Sequence, residues 1–344
     1  MAKIDENGLK AQIRSKSFSN LYLFYGEESY LKQLYVSRIT DKTVNPSFSS
    51  FNLHNIEGKD ATLDIIAECC EALPMMDDYT VVVVHDMPLN KLDETESNKL
   101  KALVSDMSPS AILIFWQDTV EVDGKDRKWA PVLSLFDKHG CCVNFSKKTT
   151  ADLVKILVNG ATKRECTLSP DDAKYLISVV GDDMNVLLNE LDKVCFFADK
   201  TQITRKHIDA VAIKSAEATT FMLSKALLSG NLDKAYEHLD VLYFRKTEPT
   251  LIMGTLISAY VDMYRAKVSL TNGGTATALA EFFNYRNKEF RLTNAARDAS
   301  KLSINQLREC LEILAQADEK LKLNFEESKT RLIIEQVMVK LVRV

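Results

Sequence analysis

The 344 residues suffice for two or three domains, and 46% hydrophobic with 27% charged residues is an ordinary globular balance. A net charge of −4 and a pI near 5.9 exclude a large basic surface, so any nucleic-acid contact is local or shared with partners. The seven cysteines include two adjacent doublets and no Cys-x-x-Cys pair, which speaks against a zinc site and a disulfide framework and for buried thiols in a reducing compartment.

The N-terminal residues 3–16 alternate charged and apolar side chains, with no signal-peptide core. No run reaches the roughly 18 apolar residues of a membrane span; the nearest, 251–264, contains Asp262. The expectation is a cytoplasmic protein without a membrane partner.

Residues 21–32 read LYLFYGEESYLK: an apolar strand over 21–25, one glycine, then a helix over 28–40. That is the outline of a phosphate-binding loop, in which backbone N–H groups, a lysine and a Ser or Thr hydroxyl hold phosphates and magnesium. Gly26 supplies the turn, but Glu27, Glu28, Ser29 and Tyr30 stand where Gly-Lys-Ser/Thr would follow. Two carboxylates there repel phosphate. In the first helical turn they would instead favour the positive end of the helix dipole, by about 0.3–1 kcal/mol. Lys32 lies too far along the helix to replace the missing lysine. Gly26, Glu27, Glu28 and Ser29 therefore read as a degenerate phosphate loop that binds no nucleotide.

A strand is expected over 51–54 and a helix over 61–73, with Leu63, Ile66 and Cys70 inward. Pro74 disfavours helix at Leu73, so the chain turns there. The turn carries Leu73, Met75 and Met76, followed at once by Asp77 and Asp78. By pattern, apolar residues in such a turn more often close one end of a sheet. The functional alternative is an exposed wedge for a partner's pocket, which flexible, polarizable methionine suits and the acidic pair would rim.

The four valines at 81–84 mark a strand over 79–85 covered on both faces. P-loop ATPases end this strand in acidic residues that hold magnesium and activate water; this one ends in His85, Asp86 and Met87. Asp86 reads as a solvated strand-end carboxylate before it reads as a magnesium ligand. The five histidines fall in no catalytic spacing. Helices over 90–104 and 125–137 and strands over 111–116 and 141–145 complete an alternation that implies a parallel sheet with helices on both faces.

After Lys148 the strand signals stop. Ser169 as N-cap, Pro170 at the first helical position, Asp171 and Asp172 in the first turn and Gly181 as the stop delimit one helix. Met184, Leu187, Leu188, Leu191 and Val194 trace the next, and Thr204 could cap another. From Ala216 onward, three helices are divided by Gly230-Asn231 and Glu248-Pro249, and the last two follow Ser303 and Leu323. One of these carries Leu307, Leu311, Leu314 and Leu321 on one side.

In their order and spacing, LYLFYGEESYLK, EALPMMDDYTVVVV, GDDMNVLLNELDKV and LKLNFEESKTRLIIEQVMVKL resemble the delta subunits of the bacterial DNA polymerase III clamp loader. The resemblance implies an α/β N-terminal AAA+-type (RecA-like) parallel-sheet domain at 1–147, then two all-helical domains. These are a small lid at 148–214 and an oligomerisation collar at 215–344. It implies a subunit of a DNA-directed DNA polymerase complex that binds and opens the ring-shaped sliding clamp, the beta subunit, during DNA replication. Such a subunit hydrolyses no ATP itself and uses no cofactor and no metal. Its collar meets gamma/tau-type ATPases and delta-prime, and primed DNA passes within the assembled complex. The family's clamp-binding positions fall on Leu73, Met75 and Met76, although a Leu-Phe or Phe-Phe pair is usual where Met75-Met76 stands. The alternative is a delta-prime-like stator or another non-catalytic AAA+ scaffold; its zinc-spaced cysteines and Ser-Arg-Cys finger do not occur, and HGCCVNF has no arginine. Lys147, Lys148, Arg245, Lys246, Arg286, Arg291 and Arg297 read as ordinary solvated charge, not as a DNA site.

Overall fold

The computed structural model describes residues 4–283, 285, 290–324 and 326–344 and divides into two units, Met1–Lys148 and Thr149–Val344. In the first unit the elements run α1 (Glu6–Ser15), β1 (Leu21–Tyr25), α2 (Ser29–Thr43), α3 (Ser49–Asn52), β2 (Leu53–Glu57), α4 (Leu63–Glu71), β3 (Thr80–His85), α5 (Glu94–Ser105), β4 (Ala111–Trp116), α6 (Trp129–His139) and β5 (Cys141–Asn144). The strands form one parallel sheet in the order β2-β3-β4-β1-β5. Val82 lies between His54 and Leu113, so the valine strand is paired along both edges.

Alternation of side chains sends each strand's apolar residues to two faces. On one, Leu23, Val82, Val84, Leu113 and Phe115 pack with Ile66 of α4, Leu100 of α5 and Phe136 of α6. On the other, Tyr22, Phe24, Val81, Val83, Ile112 and Ile114 are buried, as are Leu9 of α1 and Tyr35 and Ile39 of α2. There Phe145 stacks on Tyr35 at 5.3 Å and meets Phe24 edge-on at 5.5 Å. The fold is an AAA+-type (RecA-like) sheet. It brings the carboxyl ends of β1, β3 and β4 to one rim, where open α/β sheets place their sites.

Two local expectations are corrected. The second strand begins at Leu53, because Phe51 and Asn52 close the short helix α3 and the Asn52 amide is engaged elsewhere. Helix α2 starts at Ser29 with Glu28 as its N-cap and no acidic residue in its first turn, so the proposed dipole role of Glu27 and Glu28 falls away. Glu27 is exposed, whereas Glu28 is buried and donates its backbone N–H to the carbonyl of Phe145 at 2.9 Å.

The second unit contains α7 (Thr150–Lys163), β6 (Thr167–Leu168), α8 (Pro170–Val180), α9 (Met184–Ala198), β7 (Gln202–Ile203), α10 (Arg205–Val211), α11 (Ala216–Leu228), α12 (Leu232–Phe244), α13 (Pro249–Thr271), α14 (Phe290–Ala299), α15 (Ile304–Lys322) and α16 (Glu327–Arg343). Ser169 accepts the N–H of Asp172 at 3.1 Å, Pro170 opens α8, and Gly181 ends it at φ +105°. Strand signals do not stop at Lys148: β6 and β7 pair in parallel over two residues each, too short to leave a periodic pattern. A separate apolar core runs from Leu223 to Leu341, and none of the described residues 149–212 belongs to it. Asp262 is buried on α13 because Tyr285 donates to its carboxylate at 2.5 Å and Arg291 pairs with it at 3.0 Å. Among the described residues no helix is long and apolar enough to cross a membrane.

Candidate functional site

The loop after β1 is closed by the chain's own lysine. Gly26 sits at φ +109°, and a Cβ there would lie 2.4 Å from the Asn144 Oδ1 and 2.6 Å from the Phe145 carbonyl, so only glycine fits. Lys32, one turn into α2, is fully buried and reaches back into the loop. Its ammonium donates to the carbonyls of Gly26 at 2.7 Å and Gln117 at 2.8 Å, and pairs with Asp118 at 2.9 Å. Ser29 donates its hydroxyl to the same carboxylate oxygen at 2.5 Å. Burial alone would raise the Asp118 pKa, but the hydrogen bonds from Ser29 and Lys32 and the lysine charge hold it below the ordinary carboxylate value. The sequence distance of Lys32 from Gly26 was thus misleading. A helix turn and a long side chain bring the cation to the glycine, and its three donors are committed to protein oxygens.

Asp86, at the end of β3, is not a solvated carboxylate. It adopts a left-handed φ of 54° and accepts the N–H of Asp118 at 2.5 Å, the N–H of Thr119 at 3.0 Å and the Thr119 hydroxyl at 2.7 Å. Burial pushes its pKa up, and these hydrogen bonds more than reverse that, holding it below the ordinary value. His85 stacks on Trp116 with ring centroids 4.0 Å apart, its Nδ1 3.0 Å from Glu57 and its Nε2 3.4 Å from Asp86. The rim of the sheet is therefore a network of the chain's own polar groups, in which the buried His85 Nε2 and Gln117 Oε1 lack a hydrogen-bond partner among the described residues. Among the described residues no group of three or more His, Cys, Asp or Glu could hold a metal ion.

The turn between α4 and β3 has the opposite character. Thr62 caps α4, whose Leu63, Ile66 and Cys70 are buried against the sheet. Beyond the helix end, Leu73 is 84%, Met75 46% and Met76 80% exposed. They do not close the end of the sheet. Met76 is left-handed at φ 57°. The backbone is held nonetheless: Thr80 donates its hydroxyl to the Ala72 carbonyl at 3.0 Å, and Asn52 donates to the Met75 carbonyl at 2.9 Å. Asp77 accepts from Asn52 at 2.6 Å and from the Asn45 N–H at 3.0 Å.

Comparison with known proteins bears on the family. The family model for the DNA polymerase III delta subunit matches residues 22–146, and that for the C-terminal domain of the delta subunit matches 217–341. Together they span more than half of the chain. This chain belongs to the DNA polymerase III delta family. The DNA polymerase III subunit delta of Bacillus subtilis is 22% identical over 330 residues, 94% of this chain and 93% of that one. A probable DNA polymerase III subunit delta of Rickettsia prowazekii is 22% identical over 175 residues, 51% of this chain and 54% of that one. The solved structure of the B. subtilis DNA clamp loader delta protein (YqeN) covers 98% of this chain and 99% of its own. It superposes with a TM-score of 0.57 at 20% identity, and so shares the fold. As a delta-family chain, this is a clamp-loader subunit of the DNA polymerase III holoenzyme, a nucleotidyltransferase complex.

Within this delta chain the residues singled out by sequence divide between the two places. Gly26, Glu28 and Ser29 come together with Lys32 and Asp118 at the rim, while Leu73, Met75 and Met76 stand together at the turn. Asn52 and Asp118 escaped sequence reasoning, because nothing in their spacing marks partners 23 and 86 residues away. Of the basic residues, Lys148 pairs with Glu6 at 2.6 Å and Arg291 with Asp262, and Arg245 donates to the Lys214 carbonyl. Arg286 lies outside the described residues.

Proposed function

We propose that this chain binds and opens the ring-shaped sliding clamp through Leu73, Met75 and Met76, and itself neither binds nor hydrolyses ATP. The observation that carries the reading is a turn with a held backbone whose three large apolar side chains face solvent. Burying each such side chain contributes roughly 1.5–3 kcal/mol, enough for three together to form a hot spot. The Lys32 ammonium, already committed to Gly26, Gln117 and Asp118, supports the absence of nucleotide chemistry at the loop. On this reading 148–214 serves as a lid and 215–344 as a collar that joins the ATPase and delta-prime subunits in the cytoplasm. ATP binding in those neighbours exposes the tip, and primed DNA passes into the assembly. The tip opens the ring only by binding its open form better than its closed form.

The test is surface plasmon resonance against the cognate clamp without nucleotide, comparing wild type with Leu73→Ala, Met75→Ala, Met76→Ala. Circular dichroism checks that the triple variant is folded. The expected result is nucleotide-independent binding that weakens by a factor of about 100 or more, equivalent to about 2.7 kcal/mol. Titration of the wild type with magnesium-ATP is expected to show no saturable binding. Wild type that does not bind the clamp would move the reading to a stator; a triple variant that binds like wild type would remove the tip from it.

A further inference from the structure

Asn52 is fully buried, while its neighbour Phe51 is 56% exposed. Its amide lies against the turn that follows α4. The Oδ1 accepts the Met75 N–H at 2.8 Å, and the Nδ2 donates to the Met75 carbonyl at 2.9 Å and to Asp77 at 2.6 Å. One side chain thus satisfies both backbone groups of Met75, as a neighbouring strand would. The Asp77 carboxylate, tied in turn to the Asn45 N–H at 3.0 Å, keeps the amide oriented. This matters because the turn is locally unfavourable. Met76 holds a left-handed conformation that is unfavourable for a residue bearing a side chain. Holding exposed leucine and methionine side chains in water is also unfavourable relative to folding them onto apolar surface.

We propose that Asn52 is the positioning residue of this turn, holding the Met75 backbone so that Leu73 and Met76 stay turned out to a partner. The proposal rests on the reading of Leu73, Met75 and Met76 as the clamp contact. Asn52 is buried and acts through the backbone, so its effect is on the fraction of molecules whose turn is ready to dock. A smaller competent fraction weakens apparent affinity in proportion. That loss falls on association, because the complex once formed has the same contacts.

The experiment pairs clamp-binding kinetics with amide hydrogen exchange on the full chain. Asn52→Ala is expected to slow association by roughly tenfold with the dissociation rate nearly unchanged. Asn52→Asp keeps the acceptor for Met75 but loses the donor and faces Asp77 with a second carboxylate, so it is expected to slow association as well. In the wild type the Met75 amide is expected to exchange slowly. In Asn52→Ala that protection is lost while the amides of β3 keep theirs, which a general loss of stability would not produce. An unprotected Met75 amide in the wild type overturns the proposal, whether or not the variants fold. So does wild-type association by Asn52→Ala where the Leu73, Met75, Met76 triple variant has lost binding. If that triple variant binds like wild type, it is the clamp contact that fails, and exchange at Met75 alone decides whether Asn52 holds the turn.

Discussion

Lys32 shows how one buried side chain can tie a loop to the sheet beside it. Its charge is removed from water and returned to a carboxylate and two carbonyls, so the loss of the ammonium deprives two carbonyls of a donor and leaves Asp118 without its cation, held by the Ser29 hydroxyl. Lys32→Met is expected to destabilise the first unit by about 3 kcal/mol, read as a lowered urea midpoint. A variant as stable as wild type would mean that water replaces the ammonium without penalty. The carboxylates give the same unit a defined response to acid. For Glu6, burial would raise the pKa, but hydrogen bonds from Lys148, Lys10 and Tyr35 lower it from 4.5 to about 2. Asp86 and Asp118 are lowered too. A depressed folded-state pKa stabilises above the unfolded value and is lost as pH falls through the folded one. The urea midpoint of the first unit is therefore expected to fall between about pH 4.5 and 2, and less steeply in Glu6→Gln. A midpoint constant across that window would contradict these pairings.

Helices and strands took their limits from different causes. Helix α8 starts and stops where Ser169, Pro170 and Gly181 say it should, because a cap acts within one turn. Strand β2 does not start where its apolar run starts, because Asn52 is claimed by a turn 23 residues later. Helix α5 starts only at Glu94, where Asp93 and Glu96 form a capping box, and residues 89–91 form a 3₁₀ turn before it. Within α13, Gly254 is exposed with open space around its Cβ position. Gly254→Ala is expected to stabilise the second unit by about 0.5–1 kcal/mol, by restricting the unfolded chain and favouring helix. An unchanged or lowered melting temperature would show that the glycine serves a purpose its surroundings do not reveal.

Across the whole molecule, the two units have their own cores, one sandwiched about the sheet and one among α11 to α16. Thermal unfolding is expected to show two transitions, with Lys32→Met lowering only one and Gly254→Ala raising only the other. A single transition moved by both substitutions would mean that the units unfold as one. The order of layers was legible in the amino acids alone. Runs such as the four valines at 81–84, alternating with helical periods, call for a parallel sheet because side-chain period is a property of a few successive residues. The strand–glycine–helix turn was legible for the same reason, as Gly26 follows directly on the apolar run. Which groups fill that loop, and why three apolar side chains stay in water, came from contacts distant in the chain. Lys32 meets Gln117 and Asp118 because β1 and β4 are neighbours in the sheet, and Asn52 meets Met75 because β2 and β3 are. Pairings of that kind leave no mark in local spacing, and they exist only once the chain has closed on itself.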